Sequence, residues 1–196
     1  MAQTTSRNKQ TLLTEFLSRI SNRKLVGNLF DKIVENVSAT VLVRRSKDIT
    51  DGHALAVICN VLRKKRRSNP AVAKWLTSLL RYADPKVRSY AAEALGDLGV
   101  RSAAPKLHKL LQDMASPVYL KDNCAMALGL LKYRKAVNEL HKGLDAQHRT
   151  VRSSSAFALG RIGSRASKQT LEKRLAIEDD PSVKSMIVEA LTKFQK

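Results

Sequence analysis

A near-copy of one segment returns three times further along this chain, and that recurrence limits the fold more than any single residue does. The reference copy runs from Asp84 to Gly99 and contains Ala94-Leu95-Gly96. The triplet comes back as Ala127-Leu128-Gly129 and Ala158-Leu159-Gly160, then as Ala190-Leu191-Thr192, at spacings of 33, 31 and 32 residues. Leu76, Leu107, Leu140 and Leu171 keep the same interval in the preceding segment, with Leu80, Leu111, Leu144 and Leu175 one turn later. Self-similarity at this period marks stacked supersecondary units. Within a unit, Leu107, Leu110, Leu111 and Met114 fall at helical spacing, as do Val87, Ala91, Ala94, Leu95 and Leu98. Each unit is therefore expected to hold two amphipathic helices. A lone pair cannot cover its own apolar stripe, so the units must stack along an axis.

The joints are also legible. Pro85 and Pro181 each follow an aspartate, a turn dipeptide that suits a helix start. Ala92, Ala125 and Ala156 keep the second helix slim, and Gly99 and Gly163 supply helix stops. At these residues the chain resembles the HEAT-like repeats, and within them the short subclass found in phycobilin lyases and bacterial scaffold proteins. Asp84-Pro85 with Val87-Arg88, and Asp180-Pro181 with Val183-Lys184, match the family's turn signature; the Ala-Leu-Gly segments match its second helix. The resemblance covers roughly the last two thirds of the chain. It implies an all-α solenoid in which the turn arginine bonds the turn aspartate, so Arg88 reads as structural. His148-Arg149 replaces Asp-Pro before Val151-Arg152, which leaves Arg152 freer, and the unit at Ser116-Pro117 carries Leu120 where the arginine should be.

The fold class expected is thus all-α, an α-solenoid of HEAT-like helical hairpins with an N-terminal helical cap. Residues 1–10 read as a loose polar tail, 11–66 as the cap and 67–196 as about four repeats. The cap comprises a short helix through Leu12, Phe16 and Ile20 and a longer stripe from Leu25 to Val37, neither with the repeat signature.

Charge carries the functional signal. Thirty-six Lys and Arg stand against seventeen Asp and Glu, a net charge of +19 that folding does not require and that self-repulsion opposes. A polyanionic partner is the expectation. Arg44 and Arg45 begin a basic stretch that culminates in Arg63, Lys64, Lys65, Arg66 and Arg67 at a helix end. Arg101, Arg134 and Arg165 occupy one place in three successive inter-repeat turns, while Lys109, Lys142 and Lys173 share one place in the helix that follows. Stacked units should set these cations in two parallel rows suited to a sugar-phosphate backbone. Trp75 lies on an apolar stripe, and its counterparts Lys106, Glu139 and Thr170 are polar; the cap covers it, or it is a stacking platform beside the basic run. In the last helix, Met186 and Ile187, with Phe194 beyond, read as an apolar partner surface.

No phosphate-cradling Gly-rich loop, Ser-His-Asp set, His-Glu-x-x-His or zinc-finger spacing occurs, and His53, His108, His141 and His148 read as surface histidines. The resemblance includes metal-dependent hydroxylases with His-Glu pairs, absent here, and lyases whose catalytic residues cannot be placed on this sequence. Cys59 and Cys124 lie in apolar runs and read as reduced, buried thiols. Neither a membrane span nor a signal-peptide core is visible. The reading is a non-enzymatic scaffold that binds nucleic-acid backbone, DNA or RNA, within a larger complex, with no catalytic residue, metal, cofactor or small-molecule substrate, in the cytoplasm or in a eukaryotic nucleus. Its rivals are an adaptor docking an acidic protein and, behind that, a lyase or DNA-glycosylase-type enzyme.

Overall fold

A computed structural model describes residues 11–12, 32–33, 36–47, 49–66 and 68–194. The chain divides into two compact units, Met1–Ala94 and Leu95–Lys196. Among the described residues all regular structure is helical: α1 (Ala39–Arg45), α2 (Gly52–Lys64), α3 (Pro70–Leu79), α4 (Pro85–Asp97), α5 (Ala104–Gln112), α6 (Val118–Leu130), α7 (Val137–Gly143), α8 (Arg149–Ile162), α9 (Arg165–Ile177) and α10 (Pro181–Thr192). The proposed polar tail, residues 1–10, and residues 13–31 of the proposed cap, with Phe16, Ile20 and the start of the longer stripe at Leu25, lie outside the described residues.

Helix starts follow from local chemistry. Asp51, Asn69 and Asp180 each accept a backbone N–H from the first turn of α2, α3 and α10, and Pro70 and Pro181 occupy the first helical position. Gly99 and Gly163 adopt left-handed φ of 68° and 70° at the stops expected for them. Lys132 stands at the same place in the middle unit with φ 51°, a conformation that disfavours a side chain. Both Gly99 and Lys132 close their helices with a paired turn: Val100 N–H reaches Leu95 O while Gly99 N–H reaches Gly96 O, and Tyr133 and Lys132 do the same to Leu128 and Gly129. A short 3-10 turn follows in these two units, Arg101–Ala103 and Arg134–Ala136. In the third, Ser164 caps α9 directly.

In the second unit the second helices carry the stack, α8 packing on both α6 and α10. The recurring triplet explains how they approach so closely. A methyl placed on Gly96 would lie 2.7 Å from the Cα of Ala127, on Gly129 2.6 Å from that of Ala158, and on Gly160 2.7 Å from that of Ala190. Each glycine thus receives the alanine of the next triplet, and no side chain fits on the glycine side of the crossing without a shift of backbone. Thr192 takes the glycine's place in the last triplet and is exposed, so its β-branched side chain closes off that mode of stacking. Leu95, Leu128 and Leu159, between those small residues, are fully buried, each contributing roughly 2 kcal/mol of hydrophobic burial.

The turn into α10 is held by a charge cluster that the turn signature does not show. Glu178, 2% exposed, accepts from Arg152 Nε at 2.8 Å and Nη2 at 2.8 Å, from Arg174 Nη2 at 2.8 Å, and from the Asp180 N–H at 3.0 Å. Arg152 also donates to the carbonyls of Ala146 and Gln147. The expectation that Arg152 is left freer is therefore corrected: lacking a turn aspartate, it reaches a carboxylate 26 residues further on. Arg152 holds the Glu178 carboxyl down at about 2. Arg88, for its part, forms no ion pair with Asp84 among the described residues, and its Nε is buried without a partner. The Asp84 carboxylate instead accepts the Lys86 N–H at 2.8 Å.

Candidate functional site

The cations in register occupy equivalent places in the second unit. Arg101 and Arg134 each open a 3-10 turn, Arg165 is the first residue of α9, and Lys109, Lys142 and Lys173 lie eight residues beyond their arginines on α5, α7 and α9. All six are exposed, and among the described residues none joins an ion pair. Three acids close to them in sequence are engaged elsewhere. Glu172 lies 3.9 Å from Lys168 Nζ, Asp145 3.3 Å from Arg174 Nη1, and Glu139 accepts from His108 and Gln112. An arginine at the start of a helical segment also faces the positive end of the backbone dipole, at a cost of about 0.3–1 kcal/mol. The place is nonetheless a cation in all three units.

The basic run of the first unit is less uniform. Arg44 and Arg45 close α1 and are exposed, as are Lys64 and Arg66 at the end of α2. Arg63 is half-buried: its Nη1 lies 2.7 Å from Glu93 Oε1 and its Nη2 2.9 Å from Asn60 Oδ1. Arg63 is thus a tie between α2 and α4, which corrects its assignment as a phosphate contact. Lys65 is half-buried too, and burial lowers its pKa. Arg66 takes the left-handed φ of 49° that ends the helix. Arg67 lies outside the described residues.

Trp75 lines a cleft of about 600 Å³ within the first unit. Its floor includes Val43, Leu55 and Leu79, Tyr82 and Ile49 flank it, and Lys47, Lys74 and Arg81 stand exposed around it. The indole is half-buried. Hence Trp75 is not fully covered by the residues described.

A second groove, about 440 Å³, crosses α6, α8 and α10 in the second unit, with Met126, Phe157, Val183 and Met186 among its lining and Asp122 and Arg149 beside them. Burial pushes the Asp122 carboxyl up, opposed by a hydrogen bond to Ser154. The partner surface expected on α10 is thereby redrawn. Ile187 is 0% exposed, because Val183, Ile187 and Ala190 form the stripe that α10 buries, so it cannot be a partner anchor. Its register counterparts Ala91, Cys124 and Ser155 are also buried, a signal already present in the repeat alignment. Met186 and Phe194 remain partly accessible, and Val188, 50% exposed, is an apolar side chain that sequence reasoning passed over.

Two histidines expected at the surface are instead half-buried joints between neighbouring repeats. His108 Nε2 lies 2.9 Å from Glu139 Oε2 with its ring edge-on to Tyr133, and His141 Nε2 lies 3.2 Å from Ser167 Oγ. Their shared register was the available signal, since one place per unit facing the next unit is a joint. Among the described residues no group of three or more His, Cys, Asp or Glu is placed to hold a metal ion, and no helix is long and apolar enough to cross a membrane. Cys59 and Cys124 are buried and unbridged, and burial pushes the Cys59 thiol up.

The profile of HEAT repeats matches two consecutive segments, residues 40–121 and 109–192. No curated protein sequence matches the chain. Among solved structures, the complex of CpcE and CpcF of phycocyanin lyase from Nostoc sp. PCC7120 shares 23% identity over 82% of this chain and 66% of that chain, with a TM-score of 0.71. A designed armadillo repeat protein in complex with the peptide (KR)4 shares 20% identity over 94% of this chain and 92% of its own, with a TM-score of 0.64. An engineered protein shares 18% identity over 86% and 83%, with a TM-score of 0.62. At these identities the likeness is one of fold.

Proposed function

The chain belongs to the HEAT-repeat family, and on that premise we propose that it is a non-enzymatic scaffold that holds the phosphate backbone of a nucleic acid as an accessory part of a larger complex. A stack of such repeats offers an extended surface suited to protein or peptide binding, and the finer question is which partner this surface takes. One observation carries the answer: six exposed cations recur once per unit, at the same places, with no carboxylate paired to them among the described residues. Arginine supplies bidentate geometry to phosphate and lysine a point charge, so the edge suits a regularly spaced polyanion. The rows offer contacts to phosphate without a set of side chains for reading base edges, so binding is indifferent to sequence. Arg44, Arg45, Lys64 and Arg66 extend the cationic surface of the first unit. The buried, unbridged thiols suit a reducing compartment, the cytoplasm or a eukaryotic nucleus.

Mobility-shift titrations at 50 and 200 mM salt test the reading with duplexes of unrelated sequence. Six phosphate contacts imply a fall in affinity of about a thousandfold between the two conditions, equal for every sequence. Absent binding, or binding indifferent to salt, removes the reading. The groove containing Met126, Phe157 and Met186 favours the second one, an adaptor docking an acidic protein, with those side chains as its apolar anchor.

A further inference from the structure

The nucleic-acid reading, on which this inference rests, says nothing about whether the strand is single or double. We propose that the cleft beside Trp75 takes up one unstacked base of a single strand, with Lys47, Lys74 and Arg81 on the phosphates around it. The cleft, about 600 Å³, has the size of sites that hold small ligands, about 300–1,000 Å³. Its lining joins two aromatic residues, Trp75 and Tyr82, to three exposed cations and contains no carboxylate among the described residues. None of the three cations joins an ion pair among the described residues. An apolar aromatic pocket edged, among the described residues, by positive charge is complementary to a flat, polarisable ring that carries a phosphate on either side.

Hydrogen-bonding capacity separates a base from the other anionic occupant, an acidic peptide. The three hydroxyls of the cleft have their protons placed already: Ser46 Oγ donates to Leu42 O, Ser78 Oγ to Trp75 O, and Tyr82 Oη to Thr50 O. With these placed, the Trp75 indole N–H is the one neutral side-chain donor left among the described lining residues, too few to follow the successive carbonyls of a peptide backbone or to read a base edge. Stacking and charge are what the cleft offers, and these suffice for any base of a flexible strand. A duplex keeps its bases stacked and must first extrude one, which costs free energy that a single strand does not have to supply.

Trp75 is the single tryptophan of the chain, so its emission reports on this cleft alone. The experiment titrates the full-length protein with a labelled single strand and with a duplex of equal length, following Trp75 emission and label anisotropy, alongside Trp75→Leu and Trp75→Phe variants checked for helical content. Acrylamide should quench Trp75 in the free protein. The single strand should quench it further, while the duplex binds without doing so. Trp75→Leu should weaken single-strand binding about five- to a hundredfold and leave duplex binding unchanged, and Trp75→Phe should keep most of the affinity.

An indole that acrylamide cannot reach, or a Trp75→Leu change that affects both strands equally or neither, overturns the cleft while leaving backbone binding in place. Failure of both strands to bind removes both proposals. Emission unmoved by nucleic acid but changed by an acidic peptide bearing an aromatic residue reassigns the cleft to a protein partner.

Discussion

The turn into α10 and the proposed cationic edge at the starts of the first helices place the same residue type in opposite surroundings. At the turn, Arg152 and Arg174 are 14% and 17% exposed at the side chain and converge on a buried carboxylate. At the edge, Arg101, Arg134 and Arg165 are exposed and pair with no acid among the described residues. Net charge alone cannot tell the two apart, since each arginine counts equally toward it. What distinguishes them is whether folding has already supplied the anion. A buried guanidinium must be matched within the structure, whereas an exposed one is matched by water and stays available to a partner.

Breaking the turn should have the larger effect. Glu178→Gln removes the charge that two guanidinium groups share and should lower stability by about 3 kcal/mol in chemical denaturation, with nucleic-acid affinity of the folded protein unchanged. The pH dependence follows from the depressed carboxyl, about 2 in the folded chain against an ordinary 4.5. A group whose folded pKa is lowered stabilises fully above its unfolded value and loses that contribution as pH falls toward the folded one. The gap between wild type and Glu178→Gln should therefore be complete at pH 7, begin to close below about 4.5 and vanish near 2. A gap that stays constant across that range would show that the cluster does not depend on the Glu178 charge.

Removing the edge should do the reverse. Arg101, Arg134 and Arg165 replaced together by Ala should cost at least about tenfold in nucleic-acid affinity and reduce the salt slope on duplex by nearly three, at about 0.9 for each phosphate no longer neutralised. Thermal stability should hold or rise slightly, because three cations leave unfavourable helix ends. A variant that loses stability and keeps its affinity would erase the distinction between edge and turn.

The smallest effect sharpens the comparison by testing the frame that carries the edge. Lys132→Gly relieves a side chain held at φ 51° where the neighbouring units have glycine, and should raise stability by about 1 kcal/mol. A drop in stability, read in the same denaturation, would mean that Lys132 makes an interaction worth more than its backbone strain.

Much of the frame could be read from the sequence because its causes lie within one period. The Ala-Leu-Gly triplets gave the repeat, and the structure supplies the reason in the glycine of one unit meeting the alanine of the next. Gly99 and Gly163 were legible as helix stops from their place alone. Arg152, Arg63 and Ile187 were misread for a shared reason: each has its environment set by a residue far along the chain. Glu178, 26 residues on, claims Arg152; Glu93, 30 residues on, claims Arg63; and Ile187 falls on the stripe that α10 buries when it packs on α8 and α9. Register would have rescued Ile187 and the two histidine joints, since their counterparts share their burial or their reach. Nothing in the local pattern announces Glu178.

By itself, then, the sequence determined the helical period, where helices begin and end, and which face of each is apolar, because propensity, capping and spacing act over a few residues. Tertiary structure alone decided which cations are matched and which face solvent. The sign of a charge is written in the chain, but its partner is chosen by whatever folding brings within about 3 Å of it.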